Sequence, residues 1–470
     1  MSGEKLKPTF LQSVTPVLVM IFGLALGVGY YKLKVEPIIL TSALVAGLIA
    51  WRLGYSYKEL EVGIIDKISS SLPALMILWV VGLLIGSWMF SGTIPMIIYY
   101  GVGIISPKYL VVTAFLICAI LSTVTGTSWG SAGTVGVAVM GIAQGLNVDL
   151  AATAGAVVAG AYFGDKLSPL SDTTNLAPIA AGSELYEHIR HMLYTTVPAT
   201  IVAIVVYLFI GSGAASGSDV SASILSLQTE LDRVFDFHVI LFLPAILVLA
   251  GSFLKWPTIP VMLISSFMAV LFGVFLQGFS LKNGLISVMS GFNLNMSGLD
   301  GEFSKDMMKL LNRGGVSSVN ATTILVICAM GFAGILSVTG MLSVVLHTIM
   351  SKVRSQAGVI ISTISSCLTV AFVTGSSYLS ILVPGEMFKD FYKEKGLAAK
   401  NLSRTLEDSG TVVVPLIPWS AAGAYMTATL GVATVEYLPW AVMNYMGIVF
   451  AVILAITGIG IAPLKDKKEE

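Results

Sequence analysis

The sequence predicts an all-α polytopic membrane protein made of two inverted-topology repeats. Each repeat holds about five spans plus a re-entrant hairpin, and broken spans meet at the bilayer midplane. Apolar composition, an internal repeat and the placement of basic residues together predict this fold. Of 470 residues, 56% are hydrophobic and only 11% are charged, against about 25% charged in a soluble domain. Runs such as 13–31, 192–211 and 437–463 reach the roughly 20 apolar residues that a spanning helix needs. Such runs recur along the whole chain, so the first reads as a span and not as a cleaved signal.

Composition also narrows the function. Net charge is zero, so nothing points to nucleic acid as a partner, and the lipid bilayer is the implied surroundings. Cys118, Cys328 and Cys367 sit in apolar runs without metal-ligand spacing and read as small buried hydrophobes. No CxxC, HExxH, P-loop or strand-linked GxGxxG pattern occurs, which argues against ATP-driven pumps and membrane enzymes. The chain reads as a non-enzyme without a cofactor.

The repeat is carried by three matches in the same order. ILSTVTGTSWGSAGTVG, around Thr125 and Gly126, resembles CLTVAFVTGSSYLSILVPG, around Thr374 and Gly375, at an offset of 249. WVVGLLIGSWMFSG (79–92) resembles CAMGFAGILSVTG (328–340), with Gly82 against Gly331 and Gly92 against Gly340. LGYSYKELEVGI (53–64) resembles QGFSLKNGLISV (277–288) at an offset of 224. A polar insertion at 292–318 takes up the slack. Units this long are too large for a solenoid.

Basic residues then set the topology. Lys5 and Lys7 precede the first span, and Lys465, Lys467 and Lys468 follow the last, placing both termini in the cytoplasm. The loop 387–404 carries five basic residues, whereas its counterpart near 143–152 carries none. Opposite charge at corresponding loops is the signature of inverted repeats. The connection 351–356 is also basic, so both ends of 357–388 face inward and that segment reads as a hairpin. The first repeat, 1–212, then holds spans 13–31, 37–53 and 72–92, a hairpin at 109–146, a broken span at 150–182 and a span at 192–212. A polar linker, 213–236, leads to the second repeat, 237–463. That repeat holds spans 237–254, 258–277 and 320–346, the hairpin 357–388, a broken span at 403–430 and a last span at 437–463, before the tail 464–470. Lys32 and Lys34, placed outside, violate the charge rule.

Charges at membrane depth are expensive and mark function. The first broken span holds Asp165, Lys166 and Asp172 in GDKLSPLSDTTN, and the second holds Glu407 and Asp408 in SRTLEDSGTVVVPLIPW. Pro169 and Pro415 should unwind them, freeing carbonyls beside carboxylates and hydroxyls. Such oxygens suit a small hard cation, so Asp165 and Asp172 are the expected sodium ligands, with Asp172 as principal carrier. Thr173, Thr174, Asn175 and Asp408 complete the broken-span set. The hairpin tips add Thr125, Thr127 and Ser128 from the first repeat and Thr374, Ser376 and Ser377 from the second. Lys166 is the expected counter-charge, pairing with Asp172 or Asp408. A buried carboxylate that holds either sodium or protons exchanges them by competition, which with alternating access makes an antiporter. His188 and His191 are expected as a solvated pair in a cytoplasmic connection, and His238 and His347 at span ends.

GAYFGDKLSPLSDTTNLAP (160–178), supported by TGTSWGSAGTVG (125–136), resembles the NhaC-type sodium/proton antiporters of the ion-transporter superfamily. The resemblance implies a secondary antiporter of a prokaryotic plasma membrane that exports sodium against inward protons. It also implies Asp165, Asp172, Thr173 and Thr174, with Thr125, Thr127 and Ser128, as site residues. The family includes malate/lactate exchangers coupled to sodium and protons, so an organic-anion substrate stays open. Arginines at 52, 190, 233, 313, 354 and 404 all fall at expected loops or span ends. That favours inorganic cation exchange, because dicarboxylates usually meet arginine clusters. Related folds often dimerise, which leaves a homodimer open.

Overall fold

A backbone at membrane depth must satisfy its own polar groups, and this chain does so with helices alone. The computed structural model describes residues 5–464 except 32, 213–217, 300–302, 352 and 354. Lys32, Arg354, Lys465, Lys467 and Lys468 therefore lie outside the described residues. Among the described residues there is no strand, only an isolated bridge between Leu397 and Pro463.

The first half begins with α1 (Phe10–Gly23), which runs on as a π-helix to Tyr30, then α2 (Glu36–Arg52), α3 (Tyr57–Ser91) and α4 (Thr93–Ile104). The first hairpin is α5 (Leu110–Thr125) and the return α6 (Ser128–Ser131) and α7 (Val137–Gly145). The first broken span is α8 (Leu150–Leu167) and α9 (Asp172–Ala181), followed by α10 (Leu185–Ser212). Next come α11 (Ser218–Val234), α12 (Leu243–Phe253), α13 (Thr258–Phe275), α14 (Leu281–Ser290) and α15 (Lys305–Leu311). After α16 (Asn320–Val338) and α17 (Met341–Met350), the second hairpin is α18 (Gln356–Thr374) and α19 (Ser377–Glu394). The second broken span is α20 (Ala399–Gly410) and α21 (Ala421–Leu430), and α22 (Thr434–Tyr437) and α23 (Val442–Thr457) end the chain.

Among the described residues, seven helices are long and apolar enough to cross a bilayer, or up to ten if each of three bent pairs is one span. The protein is a multi-pass membrane protein. Several elements depart from expectation. Residues 57–71 are helical, because the capping box of Ser56 and Glu59 starts α3 a full four turns early. The linker expected at 213–236 contains α11, whose Leu231 and Val234 are buried. The span expected at 320–346 ends at Val338, since Gly340 adopts φ +71° and redirects the chain into α17. The polar insertion 292–318 is no surface excursion. Its Gly315 N–H donates to the Gly82 carbonyl of α3 at 2.7 Å, and a Cβ on Gly82 would lie 2.7 Å from the Gly315 carbonyl oxygen. Glycines on α3 thus admit foreign backbone into its middle.

Left-handed residues recur along the chain at the spacing of the sequence matches. They are Gly54 and Gly278, Gly92 and Gly340, Gly126 and Gly375, Asn147 and Gly396, and Gly182 and Gly431. At the hairpin tips the left-handed turn is combined with close approach. A Cβ on Gly126 would lie 2.7 Å from the Leu170 backbone, and one on Gly375 would lie 3.0 Å from Ser420 Cα. Each tip therefore rests on the break in its own half of the chain.

Gly126→Ala is expected to destabilise the protein by more than the roughly 1–2 kcal/mol of a left-handed alanine, because the methyl group also meets Leu170. Gly458→Ala is the control, with φ +75° and nothing within 4 Å of the added carbon. Thermal unfolding of the purified protein should show the larger loss for Gly126→Ala; equal losses would mean that the tip does not bear on the break.

Candidate ion-binding site

The first break is built by its own residues. Small side chains let α8 pack against α5 closely: a Cβ on Gly160 would lie 2.2 Å from the Phe115 carbonyl oxygen. Proline disfavours helix at the residue before it, and Ser168, preceding Pro169, is extended and ends α8. Thr174 Oγ1 then donates toward the Asp165 and Lys166 carbonyls at 2.6 and 3.0 Å. Asn175 Nδ2 donates to the carbonyls of Pro169 and Ser171 at 2.8 and 2.6 Å. Thr174 and Asn175, expected as ion ligands, are thus engaged in closing the break.

The second break is longer, running from Thr411 to Ser420. Pro418, not Pro415, stands 249 residues after Pro169, and α20 stops at Gly410 before either proline. Asp408 is therefore not the positional counterpart of Asp165, whose match at that offset is Val414. The freed carbonyls are again taken by side chains. Ser380 donates to Gly410 and Ser420 to Val414, each at 2.6 Å, while Asn444 donates to Val412 at 2.7 Å.

Both tips and both breaks line one cavity of about 580 Å³. Thr127, Ser128, Asp165, Asp172 and Thr173 face it from the first half, and Thr374, Ser376 and Ser377 from the second. Thr125 does not line it, and its hydroxyl bonds the Leu121 carbonyl four residues back at 2.8 Å. Thr374 makes the matching bond to Val370. Thr127 and Ser376 cap the helices after the tips, accepting from Gly130 N–H at 3.1 Å and Leu379 N–H at 3.4 Å. Aromatic contacts cross between halves: Trp129 stacks on Tyr425 at 4.3 Å, and the Tyr378 hydroxyl donates to Asp172 at 3.3 Å.

The two aspartates differ in setting. Asp165 is 9% exposed and accepts from Ser128 Oγ at 2.8 Å. Asp172 is exposed to the cavity at the start of α9, and Tyr378 is its hydrogen-bond partner. Lys166 turns away from the cavity and forms a fully buried ion pair with Asp408, which also accepts from Thr195 Oγ1 at 3.0 Å. Asp408 accordingly lies behind the cavity wall. Polar residues reach further inward than the sequence suggested. His188 and His191, expected in a solvated connection, are buried in α10, bonded to Ser403 at 2.9 Å and Asn401 at 3.0 Å. Arg404, expected at a loop, is fully buried and donates to the Gly460 carbonyl at 2.9 Å, so Lys166 is not the sole cation at depth. The polar face of α20 carried the missed signal: from Asn401 to Gly410 every residue is buried, charged ones included.

Broken helices, paired hairpin tips and carboxylates around one cavity fit a membrane transporter. The model of the Na+/H+ antiporter family matches residues 160–459, and the chain belongs to that family. It is 50% identical over 463 residues to a Haemophilus influenzae protein named an uncharacterized Na(+)/H(+) antiporter, covering 97% of this chain and 98% of the relative. It is 39% identical to the Na(+)/H(+) antiporter NhaC of Alkalihalophilus pseudofirmus, over 92% of each chain. It is also 35% identical to the malate-2H(+)/Na(+)-lactate antiporter of Bacillus subtilis, over 91% of this chain and 90% of that one.

Removing one member of a buried ion pair leaves an uncompensated charge and costs about 3–5 kcal/mol, whereas apolar replacement of both is often near neutral. Lys166→Met alone should therefore lower stability by about that amount, and adding Asp408→Leu should recover most of it. Chemical unfolding of the purified variants checks this, and a double variant no better than the single would reject the pair as the source.

Proposed function

We propose that the chain exchanges cytoplasmic sodium for external protons by competition at Asp165, with Asp172 receiving the ion at the cavity side. One observation carries the reading. Asp165 is a nearly buried carboxylate on the cavity wall, beside a hydroxyl, and it forms no ion pair among the described residues. A buried charge without a partner is too costly to persist, so such a carboxylate is neutralised by a proton or by a bound cation. Binding of one then displaces the other. The setting moves the leading role from Asp172, which the sequence favoured, to Asp165.

Alternating access is supported by the way the cavity is assembled. Its walls are two tips and two breaks drawn from both halves and joined at the cavity by the Trp129–Tyr425 and Tyr378–Asp172 contacts, and the recurring left-handed residues fit an internal repeat. With both termini in the cytoplasm, the α12–α13 connection at Trp256, which lines the cavity, is also cytoplasmic. The cavity is then open inward in a prokaryotic plasma membrane.

A second reading has one observation in its favour. A volume of about 580 Å³ exceeds what a single ion fills, and a malate/lactate exchanger is among the relatives. Against it, no lysine or arginine lines the cavity among the described residues, so a dicarboxylate would find no cationic partner there.

Proteoliposomes with an imposed pH gradient separate the two. Sodium alone should dissipate the gradient, and a requirement for malate or lactate would reverse the assignment. Asp165→Asn should abolish exchange in correctly folded protein. Asp172→Asn should raise the half-saturating sodium concentration by about tenfold, equivalent to about 1.4 kcal/mol.

A further inference from the structure

The cavity wall conceals a second carboxylate. Glu407 has no exposed surface and lies behind Thr173 and Thr411, both of which line the cavity. Its Oε1 accepts from Thr173 Oγ1 at 3.2 Å. Its Oε2 is buried without a partner, and so is Thr411 Oγ1, four residues further along the chain. Thr173 Oγ1 lies 3.2 Å from Ser171 Oγ, and Ser171 stands beside the Asp165 carboxyl. The result is a line of oxygens from Asp165 through Ser171 and Thr173 to Glu407 and Thr411. It joins the two broken spans, and its last two groups, Glu407 and Thr411, face each other without a well-formed hydrogen bond.

The surrounding charges leave Glu407 unmatched. Lys166, on α8, is paired with Asp408. Arg404 of α20 donates through Nη1 to Gly460, while its Nε and Nη2 are buried without a partner and it forms no ion pair with Glu407. On α10, His188 and His191 bond Ser403 and Asn401, and on α9 Asp172 bonds Tyr378 of α19. Tyr392 of α19 is paired with Thr405 at 3.5 Å, Cys367 of α18 is a buried free thiol, and Tyr445 of α23 donates to Pro439. Two carboxylates, Asp165 and Glu407, therefore remain without a basic partner in one buried oxygen cluster. Hard cations select all-oxygen surroundings.

We propose that Glu407 is the second exchangeable carboxylate of the cation site, so that one sodium ion displaces two protons. In the cation-free state both carboxyls carry a proton. Sodium enters between them, both O–H bonds break, two protons leave to water, and the ion is held by two carboxylates and the intervening hydroxyls. This rests on the exchange reading above and adds its coupling ratio.

The test counts protons. Sodium binding to the purified protein is measured by isothermal titration in buffers of different ionisation enthalpy, which gives protons released per ion bound. Wild type should release two, and Glu407→Gln, which keeps shape and the Thr173 contact, should release one. Glu407→Asp should restore the second proton. In proteoliposomes, the pH gradient that balances a given sodium gradient should report a proton-to-sodium ratio falling from two to one in Glu407→Gln. The same proton count in Glu407→Gln as in wild type, whether or not the rate falls, would reduce Glu407 to a structural role and overturn the inference. Release of no protons by wild type on sodium binding would instead defeat the exchange reading itself.

Discussion

The centre of this protein depends on satisfying backbone carbonyls where a helix is broken inside a membrane. An unpaired carbonyl in lipid surroundings costs several kcal/mol, so a break survives only if something nearby donates to it. In the first break the donors are Thr174 and Asn175, a few residues along the same strand of chain. In the second, Ser420 donates from within the break itself, while Ser380 of α19 and Asn444 of α23 donate from other elements. The first break is therefore locally determined and short. The second is held partly by tertiary contacts, and its α-helix is interrupted from Thr411 to Ser420 with a 3-10 turn, Val414–Leu416, inside. This use of side chains frees the carboxylates: with carbonyls already paired, charge and hydroxyl oxygens are what the cavity offers an ion.

Charge is divided into two compartments by the orientation of neighbouring residues on α8. Asp165 and Lys166 are adjacent, and adjacent helical positions face different directions. One faces the cavity, while the other passes behind the wall to Asp408. The ion pair closes its own balance and leaves the cavity side acidic and uncompensated. Had Lys166 turned toward the cavity, Asp165 would carry a permanent counter-ion and no reason to bind another cation. The short polar string GDKLSPLSDTTN thus sets one member of a buried charge pair, Lys166, next to a cavity-facing carboxylate, Asp165.

Much of this was legible in the sequence, for physical reasons that can be named. Hairpin tips were readable because Gly126 and Gly375 need a left-handed turn and are flanked by hydroxyl residues in otherwise apolar runs. The first break was readable because Pro169 falls inside a charged string with no competing signal. The second was readable in outline, since Pro415 and Pro418 both lie between α20 and α21, but two of its donors, Ser380 and Asn444, are distant in sequence. The burial of His188, His191 and Arg404 was hidden because charge density near an expected span end looks the same whether the helix faces water or protein. The role of 292–318 was hidden as well. Its polarity resembles a loop, and only the glycine face of α3 reveals that backbone packs there.

The contacts around the cavity also differ in strength in a way that bears on movement. Each tip rests on its own break through backbone approach, at Leu170 and at Ser420, where added atoms would collide. Tip and break of one half are therefore closely fitted and suited to move together. Across the halves the cavity-side links are a stacked ring pair between Trp129 and Tyr425, a 2.6 Å hydrogen bond from the Tyr425 hydroxyl to the Trp129 carbonyl and a 3.3 Å hydrogen bond from Tyr378 to Asp172. Behind the wall the Lys166–Asp408 pair and the Thr173–Glu407 bond also join them. Aromatic pairs contribute about 0.5–1.5 kcal/mol beyond area burial, and a hydrogen bond to a charged group about 1.5–3 kcal/mol. Links of that size are weak beside the buried Lys166–Asp408 pair, whose loss would leave an uncompensated charge, and the tip-to-break contacts cannot be lost without exposing broken helix ends. The Tyr378 bond has a further consequence, since it ends on a carboxylate of the cavity itself. Under the proposed exchange, a cation that claims Asp172 would compete with this contact between α19 and α9.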